Sequence, residues 1–192
     1  MEILFFGKTG DENTQIAAEY TRQIFPNSKI ILGSRNEKFP DEEIGLWRGS
    51  YIFSYLSPWI IPGSLLNRAS KGAINWHPGS LDYPGIGCTN FAIYNNSKEF
   101  GITCHYMNEK VDTGNIIEVK MFSILNNDTV YSITQKCYSL ILTSYYSILE
   151  KINQNIKITL SGESWHRKPY TRKELDALCE ITSKMHKDEM DK

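Results

Sequence analysis

No excess of charge of either sign marks this chain: 21 lysines and arginines stand against 22 aspartates and glutamates, a net charge of −1. A broad basic face for nucleic acid is therefore not expected, although Arg167-Lys168 and Arg172-Lys173 are local basic pairs. No apolar run approaches the ~20 residues that cross a bilayer. Residues 1–6 have neither the basic flank nor the length of a signal peptide. The expectation is a cytoplasmic protein with no nucleic-acid or membrane partner. The four cysteines, at positions 88, 104, 137 and 179, include no Cys-x-x-Cys pair, which argues for buried reduced thiols rather than a redox motif or zinc knuckle. The histidines at 77, 105, 166 and 186 show no His-Glu-x-x-His spacing, so no metal is expected. Gly7-Lys8-Thr9 has Glu2 where a nucleotide phosphate loop needs its first glycine, which argues against triphosphate hydrolysis. Internal repeats and low-complexity segments are absent.

What is present suits one globular domain: 192 residues, 41% hydrophobic. Residues 3–7 form an apolar run of the kind found in buried parallel strands. Ile16, Ala17, Tyr20 and Ile24 give 13–25 a helical stripe, and 29–32 reads as a second strand. Further strands are expected at 51–55, 73–77, 101–107 and 115–122, with short helices at 62–69 and 89–94. A long helix capped by Asn127 or Asp128 should run to about Gln154. Strands alternating with helices predict an α/β fold with a mostly parallel sheet. Beyond residue 155 the expectation is a strand at 157–160 and a short helix opened by the capping box Thr171-x-x-Glu174, with Leu175, Leu178 and Cys179 inward. The last ten residues are charged and expected to fray.

The richest chemistry lies in Asn75-Trp76-His77-Pro78, followed 35 residues after His77 by Asp112. On a strand, Asn75 and His77 point one way and Trp76 the other. Pro78-Gly79 ends the strand, and the carboxyl ends of strands are where open α/β sheets bind ligands. An amide, an imidazole and a carboxylate suit acyl transfer: one donor, one base and one counter-charge. Residues 78–87 form an irregular loop over the sheet edge. Cys88 with His77 is the rival nucleophilic pair, though nothing around Cys88 signals a depressed thiol pKa. Lys8 either meets a substrate phosphate or sits in a solvated turn. His105 reads as a satisfied core or edge histidine, and Trp165 and Tyr170 as stacking platforms or tail contacts.

The ordered set Asn75-x-His77-Pro78, Tyr83-Pro84-Gly85-Ile86-Gly87-Cys88-Thr89-Asn90-Phe91, Gly101-Ile102-Thr103-Cys104-His105 and Val111-Asp112-Thr113-Gly114 resembles the folate-dependent formyltransferases, and among them the sugar N-formyltransferases. The resemblance implies a Rossmann-like twisted sheet flanked by helices, a catalytic domain at 1–155 and a C-terminal appendage at 156–192. It implies a triad of Asn75, His77 and Asp112 that moves a formyl group, without metal, from N10-formyltetrahydrofolate to a nucleotide-linked, expectedly dTDP-linked, amino-deoxy sugar for surface polysaccharide such as O-antigen. Met107, Lys110, Val111 and Gly114 are the implied folate contacts. Lys8, Pro78, Gly79, Tyr83 and Gly85 are the implied acceptor contacts. The tail is expected to serve acceptor binding or subunit contact, which admits a homodimer. Gly79-Ser80-Leu81-Asp82 departs from the Ser-Leu-Leu-Pro typical of the tRNA and glycinamide ribonucleotide enzymes. Glycinamide ribonucleotide formylation and a silent folate or nucleotide-sugar binding module stay open as alternatives.

Overall fold

The computed structural model describes residues 1–182 and 185–187. Strands β1 (Ile3–Lys8), β2 (Lys29–Gly33), β3 (Gly49–Tyr55), β4 (Ala69–His77), β5 (Glu99–Tyr106) and β6 (Ile116–Ser123) form one sheet in the order β2-β1-β3-β4-β5-β6. The first four strands run parallel, and β5 and β6 are antiparallel to their neighbours. This is the expected α/β architecture. Between β2 and β3, Ile3, Leu4, Phe5 and Phe6 of β1 are all fully buried, as a parallel strand covered on both faces requires.

One face is covered by α1 (Glu12–Ile24) and α5 (Val130–Asn153). Asp11 caps α1 by accepting from the Thr14 amide, and Thr129 with Ser132 forms a capping box on α5. The cap expected of Asn127 or Asp128 thus falls one residue later, and Asp128 instead pairs with Lys136 at 2.6 Å. Of the apolar stripe along α5, Ile133, Cys137, Ile141, Ile148 and Ile152 are buried and Leu140 is half-buried. At its centre Tyr145 meets Trp76 at 4.7 Å and Tyr55 at 5.2 Å between ring centroids. Trp76 also donates to the Ser144 hydroxyl at 3.2 Å. These contacts fix which face of β4 turns to the helices, and therefore send Asn75 and His77 to the other.

The opposite face carries α2 (Asp41–Ile44) and α3 (Gly63–Leu66) over Leu4, Phe6, Ile31 and Ile52. Helix α2 is not legible in the sequence, α3 is shorter than expected, and β4 starts four residues earlier, at Ala69. Between β4 and β5 lies α4 (Cys88–Tyr94), and α6 (Arg172–Leu178) follows its Thr171–Glu174 box. Residues 157–160 do not form the expected strand: Ser161 donates to the Ile116 carbonyl, but Ile156 and Leu160 remain about half exposed, with no ladder beside them among the described residues. Cys179 is exposed, unlike the other three cysteines, because α6 buries none of its residues and leaves Leu175 and Leu178 only half covered. The fraying expected of the last ten residues concerns positions that, except for 185–187, lie outside the described residues.

Candidate active site

Strand pairing assembles the site. The antiparallel register sets His105 opposite Asn75 and Thr103 opposite His77, so β4 and β5 present two histidines and an amide on one face. Asp112 arrives from the loop between β5 and β6 with φ +44°, a left-handed conformation that aspartate tolerates better than most residues. Its carboxylate, 6% exposed, lies between the imidazoles: Oδ2 is 3.2 Å from His77 Nδ1, and Oδ1 is 3.2 Å from His105 Nε2. The Gly85 amide donates to Oδ2 at 2.8 Å. Asn75 Nδ2 stands 3.1 Å from His105 Nε2 and 3.5 Å from Asp112 Oδ1. Burial pushes the Asp112 carboxyl upward. The adjacent imidazoles of His77 and His105, with the bonds from His105 and Gly85, outweigh it and hold the group at about 2.

The outer ring nitrogens also face oxygens. His77 Nε2 donates to the Tyr83 carbonyl at 2.9 Å, and His105 Nδ1 donates to its neighbour's carbonyl, that of Tyr106, at 2.8 Å. A neutral imidazole has one N–H. His77 thus faces an acceptor at each ring nitrogen, and the carboxylate is placed to balance the ring whenever it carries both hydrogens. Cys88 has no such company: its thiol donates to the Pro78 carbonyl at 3.0 Å and burial pushes it up to about 12, which removes the thiolate that the rival nucleophilic reading needs. Among the described residues, no three His, Cys, Asp or Glu side chains form a set able to hold a metal ion.

Asn75, His77, His105 and Asp112 border a cavity of about 350 Å³ walled by Trp59, Ile61 and the loop after β5. Met107, Lys110 and Val111 line it. Gly114 lies off its wall, where a Cβ would fall on the Tyr106 carbonyl oxygen. Gly114→Ala is accordingly expected to displace the Asp112 loop, destabilising the fold by ~1–3 kcal/mol and lowering activity. Thermal melts and turnover of that variant check this; unchanged values for both refute it. Lys8 and Pro78 line an adjoining cavity. Gly79, Tyr83 and Gly85 work inside the wall. A Cβ on Gly79 would collide with His77 Nε2, Tyr83 is buried with its hydroxyl on Ser97, and Gly85 is tied to Asp112 and, by a bridge, to Tyr170.

Two features went unread in the sequence. His105 belongs to the cluster, and only the long-range pairing of β5 with Asn75 shows it. The tail forms a strap over the site. Trp165 donates to the Gly114 carbonyl at 3.0 Å and sets its indole edge-on to His105 and His77, at centroid distances of 5.2 and 5.9 Å. The His166 amide donates to the Leu81 carbonyl, and Tyr170 exchanges backbone bonds with Pro84 and Ile86 while stacking on Phe91 at 3.7 Å. Arg167 covers the Tyr170 ring at 3.1 Å. Neither tail aromatic is a free stacking platform.

Comparison with known proteins adds three findings. The family described as formyl transferase matches residues 54–146, which hold Asn75, His77, His105 and Asp112. The chain is 31% identical over 96 residues to a GDP-perosamine N-formyltransferase of Brucella melitensis, covering 50% of this chain and 37% of that one. It is 35% identical over 94 residues to the phosphoribosylglycinamide formyltransferase of Bacillus subtilis, covering 48% of each. The chain thus spans no more than about half the length of these curated relatives. In fold it is similar to the N-formyltransferase of Helicobacter canadensis solved with folinic acid and dTDP-3-aminofucose, with a TM-score of 0.74 at 19% identity over 98% of this chain and 77% of that one.

Proposed function

Because residues 54–146 match the formyl transferase family, we propose that this chain moves a formyl group from N10-formyltetrahydrofolate to the amino group of a nucleotide-linked amino sugar. The observation that carries the reading is Asp112, buried and ionised between two imidazoles and beside an amide at the edge of an open cavity. The relatives supply the substrate classes: one acts on a GDP-linked amino sugar, and another was solved with a folate and a dTDP-linked one. Met107, Lys110 and Val111 are the proposed folate contacts, Lys8 and Pro78 the proposed acceptor contacts. The reading extends to cytoplasmic synthesis of surface polysaccharide.

The chemistry follows from the geometry. The neutral acceptor amine attacks the formyl carbon, and a tetrahedral intermediate forms with its negative charge on the formyl oxygen. Asn75 Nδ2–H and His77 Nε2–H stabilise that oxygen, the latter after leaving the Tyr83 carbonyl; catalytic hydrogen bonds commonly rearrange on binding. Asp112 balances the charged His77 ring and passes the proton lost by the amine, directly or through water, toward N10. The C–N10 bond then breaks. The products are the N-formyl sugar and tetrahydrofolate, with no atom or electron unaccounted for. His105, bonded to the second carboxylate oxygen, orients Asp112.

A formylation assay across nucleotide-linked amino sugars and glycinamide ribonucleotide tests this. Turnover is expected with a nucleotide-linked sugar. Turnover with glycinamide ribonucleotide alone would assign purine chemistry instead, and folate binding without turnover on any amine would mark a binding module.

A further inference from the structure

On the face of the sheet away from the cavity, a second row of residues crosses the three strands that carry the site. Register sets Trp76 of β4 opposite Cys104 of β5, and Cys104 opposite Glu118 of β6, one position along from the pair Asn75 and His105. Ser144 of α5 bridges the ends of this row over the small Cys104. The Trp76 indole N–H donates to the Ser144 hydroxyl at 3.2 Å, and that hydroxyl donates to Glu118 Oε2 at 2.5 Å. An indole is a donor only and a hydroxyl has one hydrogen, so both directions are fixed. A serine inside a helix commonly bonds back to the carbonyl four residues earlier, as Thr134, Ser139 and Thr143 of α5 do. Ser144, fully buried, gives its hydrogen to β6 instead. Glu118, whose side chain is 25% exposed and 3.6 Å from Lys120, makes that bond charge-assisted. The layer around the bridge is otherwise apolar, with Phe53, Ile102, Ile141, Tyr145 and Ile148 in one buried cluster with Trp76. Ring packing lets an indole slide in its own plane; a directed bond does not.

We propose that Ser144 and Glu118 are positioning residues for formyl transfer: through the Trp76 indole they hold β4, with Asn75 and His77 on either side of that residue, in register with β6, which begins just beyond the Asp112 loop. The proposal rests on the function proposed above and adds to it two residues that touch neither substrate. Without the Ser144 hydroxyl the buried indole N–H has no partner, a state that drives Trp76 to shift and carries the backbone of Asn75 and His77 with it. Displacements well below an ångström at those two side chains are enough to slow the reaction.

The test compares steady-state rates of the full chain with those of Ser144→Ala, Glu118→Ala, Glu118→Gln and Trp76→Phe, each checked for fold by circular dichroism. Ser144→Ala and Glu118→Ala should each lower kcat about 10-fold, with KM for folate and for acceptor within about threefold of wild type. Glu118→Gln keeps an acceptor for the hydroxyl and should hold kcat within about threefold. Trp76→Phe has no N–H to place, so adding Ser144→Ala to it should change kcat by less than about twofold, a coupling that lost helix packing does not produce. A kcat unchanged in Ser144→Ala, or lowered by it as much in the Trp76→Phe background as in wild type, overturns the proposal. So does a loss in Glu118→Gln equal to that in Glu118→Ala, a comparison that decides alone if Trp76→Phe does not fold. If the wild type formylates no amine, the proposed function fails, and the bridge is decided without turnover: in Ser144→Ala the NMR signals of the His77 ring should move together with that of the Trp76 indole. A His77 signal that stays in place there overturns the bridge as a positioning device.

Discussion

Replacing Asp112 with asparagine is expected to lower kcat by at least ~10²-fold while the protein remains folded. The two side chains have nearly the same shape. The carboxylate, however, accepts from Gly85 and faces His77 on one oxygen, and faces His105 on the other. An amide offers one acceptor in place of two and no charge to balance His77. His77→Asn should fall comparably, because it removes the donor that turns toward the developing oxyanion. Steady-state rates of both variants decide the matter, and near-normal turnover in either would remove that residue from the mechanism.

The depressed titration of Asp112 also fixes a sign. A carboxyl held at about 2 in the folded chain, below its ordinary 3.8, contributes stability that is fully present above pH ~4 and is lost as pH falls toward 2. Thermal melts of the wild type should show this loss, and Asp112→Asn should lack that component. Activity on acidification answers to a different group. Asp112 stays ionised far below neutrality, so the fall in rate on acidification belongs to protonation of the attacking amine rather than to loss of the carboxylate.

Much of the site is legible before folding. The alternation of Asn75, Trp76 and His77 assigns faces correctly, because Trp76 has a helix to pack against and the polar pair does not. Asp112 is identified by its place in an ordered set of motifs. His105 escapes for a physical reason: a lone histidine on an apolar strand looks like core, and only antiparallel pairing with β4 brings it to Asn75. Nor does the pattern of the 78–87 loop show that the Tyr83 carbonyl and the Gly85 amide hold His77 and Asp112, because backbone groups leave no mark in a sequence. Residues 157–160 have the alternation of a strand but, among the described residues, no neighbour to complete a ladder. Pattern specifies which face is apolar, not whether a partner strand will be there.

The tail carries the second large effect. Read from sequence, residues 156–192 suggest acceptor binding or subunit contact. Folded, the strap at 161–170 fastens the start of β6 through Ser161, the Asp112 loop through Trp165, and the loop at 78–87 through His166 and Tyr170. Truncation after Asn155 should therefore lower kcat by ~10²-fold or more, beyond any rise in acceptor KM, because the geometry of His77, His105 and Asp112 loosens; an ångström of misplacement can cost that much. Trp165→Ala isolates the effect without removing the chain. It opens one side of both imidazoles and is expected to cost ~10- to 100-fold in kcat with substrate affinities nearly unchanged. Trp165→Phe keeps an aromatic roof while losing the bond to the Gly114 carbonyl, and should recover most of the rate. If Trp165→Ala leaves kcat intact and raises only the acceptor KM, the indole serves the substrate and not the histidines beneath it.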